Sequence, residues 1–471
     1  MSRYSPNSAA HYLDHFDWAD VLLVGISVMS MDVLSACDIA CQVRIHCPNT
    51  PLIAGGPHPT LAWREFIGSH SPPFDACVVG EGESATLEII ESIIKGKNWN
   101  SIPGVATLQS GIPRLHSHAV LIDPSEWGNP FNAHLVEKHI EEMVFSEPGG
   151  RKRRGVCLVT SRSCPLECSF CAIAATGEPY RSTSPELVVE WLSWEMKRKP
   201  FEHIYFLDAD FLTSKARARS FGSAINQAFP AVTWSVQATV GHILGLKMEL
   251  AQLHQQGLRA VELGLEAGND KQLKFFNKRH FGKYATVEQN IEAVHILMNS
   301  GIVVGVDYIM FYPDQTLEEL VSNIVFFVRS GLIDVFDLEH YQNDLILFPG
   351  TPLRELYEHR HNLKFDTDNI PNSDSLYICD DVLKIKTEYR TLFERYVRNR
   401  LHLLRVHLLE AAGNAQTDRE RAIFRLHEIR LRHLPYIILM ELTMAKGIIS
   451  DALLKTISES LKMAETALDR Y

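Results

Sequence analysis

Short apolar runs that end in glycine recur through the first hundred residues. "DVLLVGIS" (20–27) is rich in β-branched residues and gives way to a helical pattern from Met31 to His46. "TPLIAGGPHP" (50–59) and "FDACVVGEGES" (74–84) repeat the scheme, the second followed by the helical "ATLEIIESIIKG". Strand, glycine turn and helix in succession predict a small Rossmann-like α/β domain with a parallel sheet, within residues 1–98. Loops at the carboxyl ends of its strands would line a crevice.

Residues 99–150 are dense in proline and glycine and predict a connecting segment with only short elements. From 151 to 355 strands and helices alternate. The strand candidates are 155–161, 203–208, 232–237, 259–265, 302–309 and 333–338, with Ser184, Ser214 and Thr316 as helix N-caps and Gly257, Gly301 and Gly331 as stops. Six such pairs predict a partial (β/α)6 TIM-like barrel, whose chemistry belongs at the strand carboxyl ends. Beyond 355 leucines interleave with arginine and histidine at helical spacing, which predicts an amphipathic helical domain over 356–471 packed on the barrel. The basic run at 151–154 precedes a buried-looking strand and reads as a solvated edge, not a nucleic-acid surface.

The chain of 471 residues is long enough for two or three domains, and its 46% hydrophobic and 22% charged residues match a globular protein. A net charge of -11 disfavours a nucleic-acid partner and is mildly compatible with a cationic substrate. The first twenty residues are too polar for a secretory signal, and no apolar run of about 18 residues is present that would span a bilayer. Nine unevenly placed cysteines suit reduced thiols and a metal site, so a cytoplasmic protein without a membrane partner is expected.

Three of those cysteines, Cys164, Cys168 and Cys171, lie in "TSRSCPLECSFCAIA" (160–174), directly after the first barrel strand. A structural zinc ion wants four protein ligands, and Cys379 is the one cysteine beyond 171. A 4Fe-4S cluster held by three thiolates leaves one iron open to a ligand, which is the stronger reading. Cys37, Cys41 and Cys47 fall on or beside one helix and read as buried thiols, so a single cluster is expected.

The spacing C-x-x-x-C-x-x-C, with Phe170 before the last cysteine, resembles the radical S-adenosylmethionine (radical SAM) superfamily. "PYRSTSPELVVE" (179–190), "FLDADF" (206–211), "LGLEAGND" (263–270), "GIVVGVDYIMFYPDQTLEEL" (301–320) and "LFPGTPL" (347–353) look like successive barrel segments of its subgroup with a cobalamin-binding-like N-terminal domain. "VGISVM", "AGGPHPT" and "VVGEGES" resemble that domain, and the likeness runs from about residue 20 to 355. The resemblance implies that Cys164, Cys168 and Cys171 ligate the cluster and that the open iron chelates S-adenosylmethionine. Reductive cleavage then gives methionine and a 5′-deoxyadenosyl radical, which abstracts hydrogen from a small-molecule substrate in the barrel. An external reductant such as flavodoxin or ferredoxin is implied as partner.

By the same resemblance, Phe170, Asp208, Gln237, Glu266 and Pro349, with Gly350, are candidates for S-adenosylmethionine contacts. Thr239 stands where relatives often have arginine. Asp210, Asp307, Glu339 and Tyr341, with His340 beside them, are candidates for substrate contact or proton transfer, and His58, Glu81 and Glu83 lie in loops of the N-terminal domain. That domain departs from the family pattern. Only about 20 residues precede its first strand, and neither His11 nor His15 sits in D-x-H-x-x-G. The expectation is a domain truncated at its first strand and without cobalamin. The reaction favoured on that basis is dehydration, epimerisation or rearrangement of a small polar metabolite such as an aminosugar in natural-product biosynthesis. The alternative is cobalamin-dependent C-methyl transfer; a non-catalytic metal- or RNA-binding protein is the alternative of another class.

Overall fold

The computed structural model describes residues 13–68, 73–131, 143–146, 152–335, 341–366 and 373–470. The chain forms two compact units. One comprises residues 1–129, 162–184 and 346–372; the other comprises 130–161, 185–345 and 373–471. These groupings do not follow the predicted boundaries at 98, 150 and 355. The cysteine loop and the "FPGTP" segment group with the N-terminal domain, and the helical C-terminal region groups with the barrel strands.

In the first unit, strands β1 (Val24–Ser27), β2 (Leu52–Gly55) and β3 (Ala76–Val78) run parallel, as their apolar runs predict. Side chains alternate between the faces of β2. Leu52 and Ala54 join Val28, Ala36, Ala40, Val43 and Phe66 in one core, while Ile53 joins Val78, Ala85 and Ile89 in the other. Two further strands, β4 (Val105–Gln109) and β5 (Ile112–Leu115), extend the sheet antiparallel in the order β1-β2-β3-β4-β5. They lie in the stretch read as a connection. Ser110 and Gly111 make their two-residue turn with φ of 52° and 78°, the pair of positive angles that a type I′ hairpin turn requires.

The second unit is built on an open, curled sheet of β6 (Met143–Ser146), β7 (Lys152–Leu158), β8 (His203–Phe206), β9 (Thr233–Thr239), β10 (Leu258–Glu266) and β11 (Val303–Tyr308). The strands β7 to β11 are parallel and match five of the six predicted barrel strands. The antiparallel edge strand β6 was not predicted. The sixth predicted strand differs: Leu332–Asp334 form a 3-10 turn, and 336–340 lie outside the described residues. Ser214 and Thr316 cap their helices as predicted, Thr316 in a capping box with Glu319. The strand face made by Val156, Leu158, Ile204, Phe206, Trp234, Val236, Val261, Leu263, Val304 and Val306 is buried. Helices Asp380–Leu392, Arg398–Asn414, Asp418–Met444 and Asp451–Arg470 form the predicted helical region, the third packing on the barrel helix Leu317–Arg329.

Candidate active site

The cysteine loop belongs to the first unit. Ser163, at φ 64°, turns the chain, and its hydroxyl donates to the Glu178 carbonyl at 2.6 Å. The Cys171 amide donates to the Cys168 carbonyl, and the Leu353 amide holds the Ser169 carbonyl at 3.0 Å. Cys168 is buried, while Cys164, Phe170 and Cys171 are half-buried. None of the nine cysteines is in a disulfide. Among the described residues, no three His, Cys, Asp or Glu side chains converge closely enough to hold a single metal ion. Cys37 is half-buried and Cys47 buried, but Cys41 is exposed, a departure from the expected buried trio.

A cavity of about 1200 Å³ opens in the same unit along β1, β2 and β3, lined from residues 20–23 ahead of β1 to the loops that follow the strands. Its lining includes Leu22, Leu61, Leu87 and Ile173 around the small residues Gly25, Gly55, Gly80 and Gly82. Leu22, Leu87 and Ile173 are 52%, 59% and 42% exposed, a concentration of uncovered apolar surface that isolated surface leucines do not explain. Glu81 and Glu83 line the cavity but are engaged: Arg162 pairs with both, and Arg181 pairs with Glu81. Both guanidinium groups lie over Trp127. Burial, then the Glu81 carboxylate, pushes the Glu178 carboxyl above its usual range. His58 is fully buried against Phe66 and does not line the cavity; burial and then Arg354 lower its pKa to about 4.

In the second unit the other face of the sheet is polar. Tyr205, Gln237, Glu262, Gly305 and Asp307 occupy it at alternate positions of adjacent strands. Two of the candidate residues, Gln237 and Asp307, are thus on this face. Burial, then Glu266 and Glu262, raises the Asp307 pKa to about 7, with Lys278 acting the other way. Glu266 ends β10 at φ 65° beside a register shift and pairs with the buried Lys278 at 2.7 Å. A Cβ on Gly264 would stand 2.9 Å from the Glu266 carboxylate and 3.0 Å from the Lys278 ammonium, so glycine there makes room for the pair. Asn290 reaches the carbonyls of Leu265 and Ala267, and Asn323 accepts from the Gly268 amide.

Two predicted contacts differ. Asp208 is fully buried and accepts from the Thr160 amide and hydroxyl, the Ser161 hydroxyl and Arg217, so its carboxylate is spent on holding the end of β7. Tyr341 is 2% exposed and packs on Phe327, where burial raises its pKa; it is a core residue. Glu339 and His340 lie outside the described residues. Pro349 is buried, and its neighbour Gly350 stands near Leu61. Asp210 is fully buried and meets His242 and Thr239. Sequence reading missed Tyr205, His242, Glu262 and Lys278. Glu262 and Tyr205 had a legible signal, a polar residue inside an apolar strand, whereas Lys278 and His242 had none.

The Radical SAM superfamily model matches residues 158–326, which span the cysteine loop and β8 to β11. The chain carries a radical SAM domain. An uncharacterized methyltransferase of Pyrococcus horikoshii is 28% identical over 338 residues, 71% of this chain and 68% of the relative. An anaerobic magnesium-protoporphyrin IX monomethyl ester cyclase of Rubrivivax gelatinosus is 25% identical over 58% of this chain and 48% of the relative, so the chain spans about half to two thirds of these proteins. Among solved structures, the cobalamin-dependent S-adenosylmethionine radical enzyme OxsB with aqua-cobalamin bound matches with a TM-score of 0.71 at 15% identity, over 99% of this chain and 74% of that one. At that identity the likeness establishes the fold.

A radical SAM domain requires a 4Fe-4S cluster, and the thiols of Cys164, Cys168 and Cys171 are a donor set that fits one. The ligands of a single zinc ion crowd within about 2.3 Å of one centre, whereas each thiolate of a four-iron cluster holds a different iron. The absence of a single-ion grouping is therefore compatible with the three-cysteine loop. The crevice, at about 1200 Å³, is slightly larger than the roughly 300–1000 Å³ usual for small-molecule pockets. The expectation is a truncated domain without cobalamin; the structural neighbour OxsB binds it, and whether this cavity does belongs to the proposed function.

Proposed function

We propose that this chain is a cobalamin-dependent radical SAM enzyme that transfers a methyl group to a carbon of a small molecule. The observation that carries the reading is the apolar cavity of about 1200 Å³ along β1, β2 and β3. The methyltransferase relative and the fold shared with a cobalamin-dependent enzyme support it. Cys164, Cys168 and Cys171 hold the cluster, with Phe170, Gln237, Glu266 and Pro349 as the residues assigned to S-adenosylmethionine. When bound, cluster and corrin supply reductive cleavage of the sulfonium and a carrier for its methyl group. The protein's own part is to fix Glu266 through Lys278, to keep the apolar crevice open through glycines, and to present Gln237, Glu262 and Asp307 to a polar substrate. An external reductant delivers the electron.

A second reading is hydrogen abstraction without methyl transfer, acting on an amino-bearing metabolite such as an aminosugar; the carboxylates of the barrel face and the cyclase relative favour it. The two separate on S-adenosylmethionine carrying a labelled methyl group, supplied with cobalamin, reductant and a panel of small polar metabolites. Methyl transfer gives S-adenosylhomocysteine and label in the product. Formation of 5′-deoxyadenosine alone, with no label transferred, would overturn the first reading.

A further inference from the structure

Asp210 and His242 form a pair that neither the cluster loop nor the carboxylates of the barrel face account for. Asp210 follows β8 and is fully buried; His242 sits in the helix Val240–Gly245, which begins where β9 ends at Thr239. Both are at the strand carboxyl ends, where a barrel keeps its reactive groups. The His242 Nδ1 is 2.7 Å from Asp210 Oδ2, and the Thr239 hydroxyl stands 3.3 Å from the same oxygen and 2.9 Å from Nδ1. The other carboxylate oxygen, Asp210 Oδ1, is buried with no hydrogen-bond partner among the described residues.

A carboxylate only accepts, so the Asp210 contact places the ring proton on Nδ1 and leaves the lone pair on Nε2. Thr239 then donates to Asp210 as well. The Nε2 atom has no partner among the described residues, and the His242 side chain is 26% exposed while Asp210 is at 0%. The dyad is thus anchored at its inner end and open at its outer one. The neighbouring His280 does not compete. It packs against Gly241, where a Cβ would stand 3.2 Å from its Nδ1, and burial followed by Lys278 lowers its pKa to about 4.

We propose that His242 accepts a proton from an O–H or N–H group of the substrate, with Asp210 as its positioning residue. The substrate's bond to hydrogen breaks heterolytically, the proton joins Nε2, the electron pair stays on the substrate oxygen or nitrogen, and the Asp210 carboxylate balances the imidazolium. This rests on the proposed function only for the existence of a small-molecule substrate.

The dyad is tested on the isolated full chain, labelled with ¹⁵N-histidine, by long-range proton–nitrogen correlation, with His242→Gln assigning the signal. The expected neutral form carries the proton on Nδ1, and Asp210→Asn abolishes that preference. A proton on Nε2 in the parent, or no change in Asp210→Asn, would overturn the assignment. In the labelled-methyl assay, His242→Gln lowers product formation roughly 100-fold or more, with S-adenosylmethionine binding unchanged by equilibrium dialysis, and added imidazole restores turnover in His242→Ala. Product formation within twofold of the parent, or loss that imidazole does not relieve, refutes the proton-accepting role. A parent chain that forms no product counts against the proposed function, and the tautomer still decides on the dyad.

Discussion

Glu266 occupies a backbone conformation that costs a residue with a Cβ about 1–3 kcal/mol, and the structure compensates at several points. Lys278 pairs with its carboxylate, Asn290 and Asn323 hold the flanking backbone, and Gly264 leaves the space in which the pair meets. Replacing Gly264 by alanine pushes a methyl group between two buried charges, so Gly264→Ala should cost about 1–3 kcal/mol by denaturant unfolding and weaken S-adenosylmethionine binding. An alanine variant with parental affinity would dissociate the pair from the cofactor. At this scale the positions of the three cysteines, Gln237, Glu266 and Asp307 are readable from a short motif or the phase of a strand, and their roles are those proposed above. Asp208 was misread for a reason equally physical. Its place at a strand end was visible, but its partners Thr160, Ser161 and Arg217 are brought to it by the fold and not by sequence spacing.

Between elements, Asp208 ties the end of β8 to the end of β7, from which the cysteine loop departs. Removing its charge leaves Arg217, which is buried against Phe211 and Phe221, without its carboxylate. Loss of one partner of a buried pair typically costs about 3–5 kcal/mol. The variant Asp208→Asn should therefore unfold at lower denaturant, with faster hydrogen exchange at the Thr160 amide; unchanged exchange there would mean that the clamp does not hold the loop's root. Long periodic elements such as α/β repeats and the C-terminal helices were readable from their apolar spacing. The β4–β5 hairpin was not, because it lies among prolines and glycines that read as a connection, and Pro113 interrupts the pattern of its second strand. Of the stretch 333–338, which composition reads as a strand, the described part belongs to a 3-10 turn, Leu332–Asp334, that Gly331 starts at φ 75°, and 336–338 lie outside the described residues.

For the molecule as a whole, no helix among the described residues is long and apolar enough to cross a membrane. Its response to acid follows from buried imidazoles. His58 in one unit and His280 in the other each have a pKa lowered from 6.5 to about 4, chiefly by burial. A histidine kept neutral in the fold contributes stability that is fully present above pH 6.5 and lost as pH falls toward 4, on the order of 3 kcal/mol each. Asp307, raised to about 7, acts in the opposite sense, losing its contribution as pH rises through 7. Comparison of the parent with His58→Asn isolates one group: the parent should lose stability relative to the variant between pH 6.5 and 4. A constant difference across that range would show that His58 is protonated in the fold.

In the proposed function the crevice along β1, β2 and β3 holds a corrin, and binding comes before catalysis. The decisive measurement is titration of the anaerobically reconstituted full chain with hydroxocobalamin, followed by gel filtration and the corrin absorption of the protein fraction. One corrinoid per chain is expected, lost when Gly25 or Gly82 in the cavity lining is replaced by tryptophan while the 4Fe-4S content stays at the parental level. A chain that retains its cluster and cleaves S-adenosylmethionine but binds no corrinoid would contradict it.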